Sequence, residues 1–206
     1  MKKMKLLLTL ILVMQISTGF AQEFKSVEEV NGIEIGDNVP MFVALSADST
    51  EFSLETALKE GPVVVIFYRG FWCPHCNKHL SIVQDSLSMI ENAGAQVIAI
   101  SPEKPEYLDK MADKSGAKFK LLYDESQKIS DAFGVTFKPT GRQIKSYNMF
   151  MKAQLKESHT DDTEQLPIPA TYLIGQDGKV LWRQFDQDYK NRSNVADIIE
   201  ELSFIK

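Results

Sequence analysis

Apolar residues recur along this chain in two alternating rhythms. Val63-Val64-Val65-Ile66-Phe67-Tyr68 is an unbroken β-branched and aromatic run, as expected of a strand buried on both faces. From Pro74 the period changes. Leu80, Val83, Leu87 and Ile90 fall at helical spacing with Ser81, Gln84, Asp85 and Ser88 between them, which predicts a long helix ending near 92–94. A second buried strand follows at 96–100, a helix opens at Pro105 and stops near Gly116, a third strand covers 118–123, and a short helix covers 125–133. Segments 170–174 and 179–185, parted by Gly175-Gln176-Asp177-Gly178, read as a hairpin. Val195, Ile198, Ile199 and Leu202 mark a closing helix capped by Ser193 or Asn194. Ahead of the first strong strand, 41–45 reads as a short strand and 52–59 as a brief helix.

This succession implies an α/β protein with a central, mostly parallel sheet flanked by helices, the final hairpin adding antiparallel strands. Residues 136–165 break the alternation. They hold a turn at Lys138-Pro139-Thr140-Gly141, one amphipathic helix carrying Ile144, Tyr147, Met151 and Leu155, and a polar stretch. They are expected to form a surface insertion before the late hairpin, long enough to have a purpose.

The first residues alter the setting. Met1-Lys2-Lys3-Met4-Lys5, the apolar run Leu6 to Met14 and Gly19-Phe20-Ala21 have the form of a secretory signal peptide over 1–21, with cleavage expected after Ala21. The apolar run is shorter than the ~20 residues that cross a bilayer. One domain over 22–206 is then expected, periplasmic or secreted and not membrane-spanning after cleavage. The 206 residues carry a formal charge of −5, and loss of the leader lysines leaves the remainder more acidic, so nucleic acid is not an expected partner.

The only two cysteines, Cys73 and Cys76, lie together in Trp72-Cys73-Pro74-His75-Cys76, between the first buried strand and the long helix. A disulfide across two residues closes almost no loop and stabilises little, so a reversible redox bridge Cys73–Cys76 explains the pair better than a structural staple. A helix start offers unpaired N–H groups and partial positive charge, which lower a thiol pKa. Cys73 is expected to be the exposed nucleophile and Cys76, one turn inside, to resolve the mixed disulfide. His75 is a candidate cation and hydrogen-bond donor beside the thiolate. Trp72 is expected to shield the thiols, His79 is a candidate proton relay to Cys76, and Glu103 is a candidate general base.

A structural zinc site needs four ligands, and only His75, His79 and His159 accompany the cysteines. Cu(I) held by both cysteines and a histidine, Met149 or Met151 is the remaining metal reading, and it would make the protein a binding or metallochaperone module. The catalytic reading needs neither metal nor cofactor. Its partners are protein or small-molecule thiols and disulfides, and a redox partner protein.

Three stretches together, Phe67 to Cys76, Pro169-Ala170-Thr171-Tyr172-Leu173-Ile174 and Gln184 to Arg192, resemble the peroxiredoxin-like branch of the alkyl hydroperoxide reductase/thiol-specific antioxidant family, within the thioredoxin-like superfamily. The resemblance runs from about Ile35 to the C-terminus. It implies a thioredoxin fold in which Ile168-Pro169 is a cis bond facing the cysteines and main-chain groups of Ile168 bind substrate. It adds peroxides as possible substrates. The family's peroxide loop, Pro-x-x-x-Thr-x-x-Cys, falls here with Cys76 at the peroxidatic position, Cys73 at the threonine and Arg69 at the proline. The family's remote arginine falls on Pro169, so Arg69 or Arg183 would have to supply a guanidinium. The peroxide-activating set is thus largely replaced by a thioredoxin-like one, which favours disulfide exchange over peroxide reduction.

Overall fold

A computed structural model describes residues 24–205. The expected signal peptide and its cleavage site lie outside them. Within them, β1 (Val43–Ser46) and β2 (Glu51–Ser53) form a hairpin, and α1 (Leu54–Glu60) follows at once, its first turn capped by Ser53, which accepts the Thr56 N–H. Next come β3 (Val63–Phe67), α2 (Pro74–Asp85), α3 (Leu87–Asn92), β4 (Gln96–Ser101), α4 (Pro105–Ser115), β5 (Lys120–Tyr123) and, after a single 3-10 turn, α5 (Lys128–Ala132). A two-stranded ribbon, β6 (Thr136–Phe137) with β7 (Leu166–Pro167), encloses α6 (Gly141–Phe150) and α7 (Leu155–Ser158). The hairpin β8 (Ala170–Ile174) and β9 (Val180–Phe185) and then α8 (Val195–Ser203) complete the fold.

The main sheet has the order β2-β1-β5-β4-β3-β8-β9. Its centre, β3, β4 and β5, is parallel, and antiparallel strands extend it on both sides. All of β3 is buried, because alternate residues feed two cores. Val64 and Ile66 pack with Leu80, Val83, Ile90 and Ile198 on one face, and Val63, Val65 and Phe67 with Leu54, Phe133 and Tyr172 on the other.

Two local departures have physical causes. The long helix expected from Pro74 is interrupted at Ser86, whose backbone (φ −107°, ψ 6°) leaves the helical range and whose N–H is shared by the Ile82 and Val83 carbonyls. Leu87 and Ile90 stay buried beyond the break, which is why their spacing hid it. Strand β2 was not expected; Phe52 points into the core there and belongs to a hairpin before the helix begins.

The excursion over 136–165 precedes the hairpin as expected, and its inner face is buried. Tyr147, Ala153, Leu155, Ser158 and His159 are all covered, and the Lys104 N–H donates to Ser158 O at 2.8 Å. This segment therefore roofs the exit of β3 and β4.

Candidate active site

Strand β3 ends at Phe67 and α2 begins at Pro74, so the residues between them turn at the sheet's C-terminal edge. Gly70 makes the turn (φ +153°); a Cβ there would meet Trp72 Nε1 at 2.4 Å and Glu103 Oε1 at 2.5 Å. Pro74 occupies the first turn of α2, and Cys73 is its N-cap, its sulfur accepting the Cys76 N–H at 3.4 Å. The Cys76 thiol donates to Cys73 Sγ at 2.7 Å. Neither cysteine is in a disulfide.

The cation at Cys73 is Arg69. Its Nη2 donates to Cys73 Sγ at 3.3 Å and its Nη1 to the Tyr147 hydroxyl at 3.2 Å. The guanidinium lies 3.9 Å from the centre of the Tyr189 ring and 5.2 Å from those of Trp72 and Tyr147. Arg69 is only 1% exposed, and the two nearby sulfurs keep it firmly protonated despite that burial. The hydrogen bond from Cys76, then the charge and hydrogen bond of Arg69 acting against burial, pull the Cys73 pKa down to about 5. Cys76 is pushed well up, first by burial and then by the anion it faces. At neutral pH the pair is therefore one thiolate and one thiol.

Several expectations need correcting against this geometry. Cys73 is 0% exposed and Cys76 1%, in one apolar cluster with Trp72, Tyr147, Ala153 and Leu155; their difference is electrostatic, not one of access. His75 is exposed and packs edge-on against Tyr189, with ring centres 5.5 Å apart; the cation hydrogen-bonded to the Cys73 sulfur is Arg69 instead. The described residues contain no cis peptide bond, so Ile168-Pro169 is trans. Strand β7 pairs with β6, and the Ile168 N–H is used by Val135 O at 2.7 Å, so this donor is not open to a substrate. Ile168 is buried in the apolar cluster that holds Cys73 and Cys76. Arg183 binds the lead-in, donating to Asn31 O, Ile33 O and Glu34, and brings no guanidinium to the sulfurs.

Glu103 does approach the site. It is fully buried after β4, and its Oε2 accepts the Phe71 N–H at 2.8 Å. Burial raises its pKa well above the usual range against that hydrogen bond, and the Cys73 thiolate adds to the rise, so the site favours its protonated form. His79 is buried, with its Nε2 2.8 Å from Ser193 Oγ, and burial lowers its pKa to about 4. Met149 is 57% exposed, Met151 packs against the core, and no three metal-ligating His, Cys, Asp or Glu side chains gather among the described residues.

Two residues bring to the sulfurs contacts that sequence reasoning did not assign. Arg192 Nη2 lies 3.7 Å from Cys76 Sγ, and Tyr147 reaches Arg69 from the roof. Arg192 stood within the resembling stretch, but nothing in spacing could show that the turn after β9 returns to α2.

The model of the AhpC/TSA family matches residues 35–183. The chain belongs to that family. A putative peroxiredoxin of Mycobacterium tuberculosis is 29% identical over 168 residues, covering 82% of this chain and 94% of the relative. The thiol-disulfide oxidoreductase ResA of Bacillus thuringiensis is 23% identical over 88% of each chain. The crystal structure of a peroxidoxin from Mycobacterium tuberculosis superposes with a TM-score of 0.64 at 22% identity, covering 84% of this chain and 99% of that one. This AhpC/TSA protein thus has the thioredoxin-like, peroxiredoxin-like α/β fold and is a thiol-dependent oxidoreductase. No helix among its described residues is long and apolar enough to cross a membrane.

Proposed function

We propose that this AhpC/TSA protein is an exported thiol–disulfide oxidoreductase in which Cys73 attacks and Cys76 resolves. One observation carries the reading. Cys73 Sγ, the first of the CxxC pair, accepts hydrogen bonds from Arg69, the Cys76 N–H and the Cys76 thiol, which lower its pKa, whereas burial pushes up that of Cys76, at the position the resemblance makes peroxidatic. In the reducing direction the Cys73 thiolate attacks one sulfur of a disulfide, forms a mixed disulfide and releases the first thiolate. Cys76 then loses its proton and displaces the second thiolate, leaving Cys73–Cys76 oxidised. Two electrons pass to the substrate, and the reverse sequence oxidises a dithiol.

Peroxide reduction is the second reading, favoured by the buried Arg69 guanidinium on Cys73 and by the relative named a putative peroxiredoxin. Stopped-flow mixing of the reduced protein with hydrogen peroxide and, separately, with a small disulfide separates the two. Faster reaction with the disulfide is expected; a fast second-order phase with peroxide would reverse the order. A Cys76→Ser variant should accumulate mixed disulfides on Cys73 and thereby name physiological partners.

A further inference from the structure

A cavity of about 340 Å³ lies between the first turns of α2 and the turn after β9, lined among others by His75, Lys78, His79, Lys190, Arg192 and Ser193; neither cysteine lines it, and Arg192 links it to Cys76. No acidic residue lines it, although acidic residues outnumber Lys and Arg 28 to 23 in the chain as a whole. Among the described residues no carboxylate forms an ion pair with Lys78, Lys190 or Arg192. The two aspartates of the preceding turn are engaged elsewhere. Asp186 accepts from the Asp188 N–H and from Asn191 Nδ2, and Asp188 from the Lys190 N–H, which braces the turn that carries Lys190 and Arg192. A second brace runs from His79 to Ser193 Oγ (2.8 Å) and on to Thr171 Oγ1 (2.9 Å), tying this turn to α2 and β8. His79, with its low pKa, adds no charge at pH 7, so the positive field comes from Lys78, Lys190 and Arg192. Arg192 joins cavity and chemistry, because the same side chain lines the cavity and reaches Cys76 Sγ.

Building on the exchange reading, we infer that this cavity is the specificity subsite for the carboxylate-bearing end of a low-molecular-weight disulfide or thiol. Both sulfurs are buried, so any substrate reaches them only as their cover opens; a small molecule needs less opening than a folded partner, and the volume suits a ligand of a few hundred daltons. The carboxylate pairs with Lys78 and Lys190 while the substrate sulfur meets Cys73. Arg192, beside Cys76, favours the thiolate that must form there before Cys76 displaces the departing thiolate from Cys73.

The test uses the reduced full-length protein and two disulfides of similar size: 3,3′-dithiodipropionate, which is anionic, and hydroxyethyl disulfide, which is neutral. The anionic disulfide should react about tenfold faster at low ionic strength, and that preference should shrink in high salt. Lys78→Glu and Lys190→Glu, with Lys78→Gln and Lys190→Gln as milder forms, should each lower the anionic-to-neutral rate ratio, by about fivefold for a charge reversal. Equal rates for the two disulfides, or a ratio unmoved in every lysine variant, would overturn the subsite while leaving disulfide exchange standing. Reaction with neither disulfide would sink the exchange reading and the subsite with it.

Discussion

Arg69 and Cys73 stand four residues apart on the turn that leaves β3, and the guanidinium of the first donates to the sulfur of the second at 3.3 Å. Both groups are buried, so their attraction is not diluted by water, and each sustains the charge of the other. The histidine inside the CxxC motif, the cation that the sequence put forward, plays no part in this contact.

Removing that guanidinium should cost Cys73 its anion. Arg69→Met is expected to raise the Cys73 pKa by about one to three pH units, since an adjacent opposite charge has effects of that size. Alkylation of the reduced variant at pH 6 should slow by about twofold for a one-unit rise and about ninetyfold for a three-unit rise, while His75→Ala should titrate like the parent. Thiolate absorbance followed against pH reads both. Equal titration curves for the parent and Arg69→Met would remove Arg69 from the site.

The split pair of sulfurs also fixes how the redox potential responds to acid. The depressed Cys73 pKa favours the reduced form, fully so above an ordinary thiol pKa, and the benefit disappears as pH falls through about 5. At pH 7 this makes the disulfide more oxidising by roughly 60 mV than an unperturbed pair, at about 30 mV per tenfold change in equilibrium. Between pH 5 and 8 reduction takes up two electrons and one proton, so the potential should fall by about 30 mV per pH unit; below pH 5 the slope should double. Equilibration with glutathione buffers measures it. A pH 7 value as low as thioredoxin's ~−270 mV would contradict the electrostatic account.

Glu103 is expected to act as a neutral acid that holds the active-site turn. Burial favours its protonated form, which Gln resembles, so Glu103→Gln should keep the acceptor for the Phe71 N–H and change stability by less than about 1 kcal/mol. Glu103→Ala leaves that N–H without its partner and should cost about 2 kcal/mol. Urea unfolding of the reduced proteins distinguishes the two. A large loss in Glu103→Gln would mean that the carboxylate, not the acid, is the working form.

His159, buried beneath the roof, predicts an acid-sensitive stability. Burial lowers its pKa from 6.5 to about 4, so its contribution is complete above pH 6.5 and is lost as pH falls toward 4, where the unfolded chain binds the proton first. The loss at pH 4 is at most about 3 kcal/mol for this residue. Among the described residues neither ring nitrogen hydrogen-bonds to another protein group, so His159→Leu should fold at pH 7 and keep more of its stability between pH 6.5 and 4. Thermal melts over that range are the measurement; an unchanged acid limb would assign the sensitivity elsewhere.

Apart from the break at Ser86, the strands and helices from β3 to β5 and from β8 to α8 were legible in the sequence, because two-fold and 3.6-fold apolar periods and Gly or Pro punctuation are local properties. So was the chemical type of the site. A CxxC at a strand-to-helix junction depends on the helix start for its acidity, and that start lies in the same dozen residues. The sequence could not show which cation serves the sulfur. His75 is adjacent in the chain, yet helix geometry turns it outward, while Arg69 folds back across the turn. The trans bond before Pro169 and the use of the Ile168 N–H by Val135 were likewise hidden, because they follow from the β6–β7 ribbon, whose strands are about thirty residues apart.

By itself, then, the sequence determined where a thiolate could form: a cysteine as N-cap of α2, one turn from a second cysteine. Tertiary structure decided which groups surround it. Arg69 and Tyr147 meet at Cys73, and Arg192 at Cys76, only because the excursion over 136–165 and the turn after β9 fold over the same sheet edge. Charge–charge and hydrogen-bond energies depend on distances in space, and periodicity along a chain carries no information about contacts between segments so far apart.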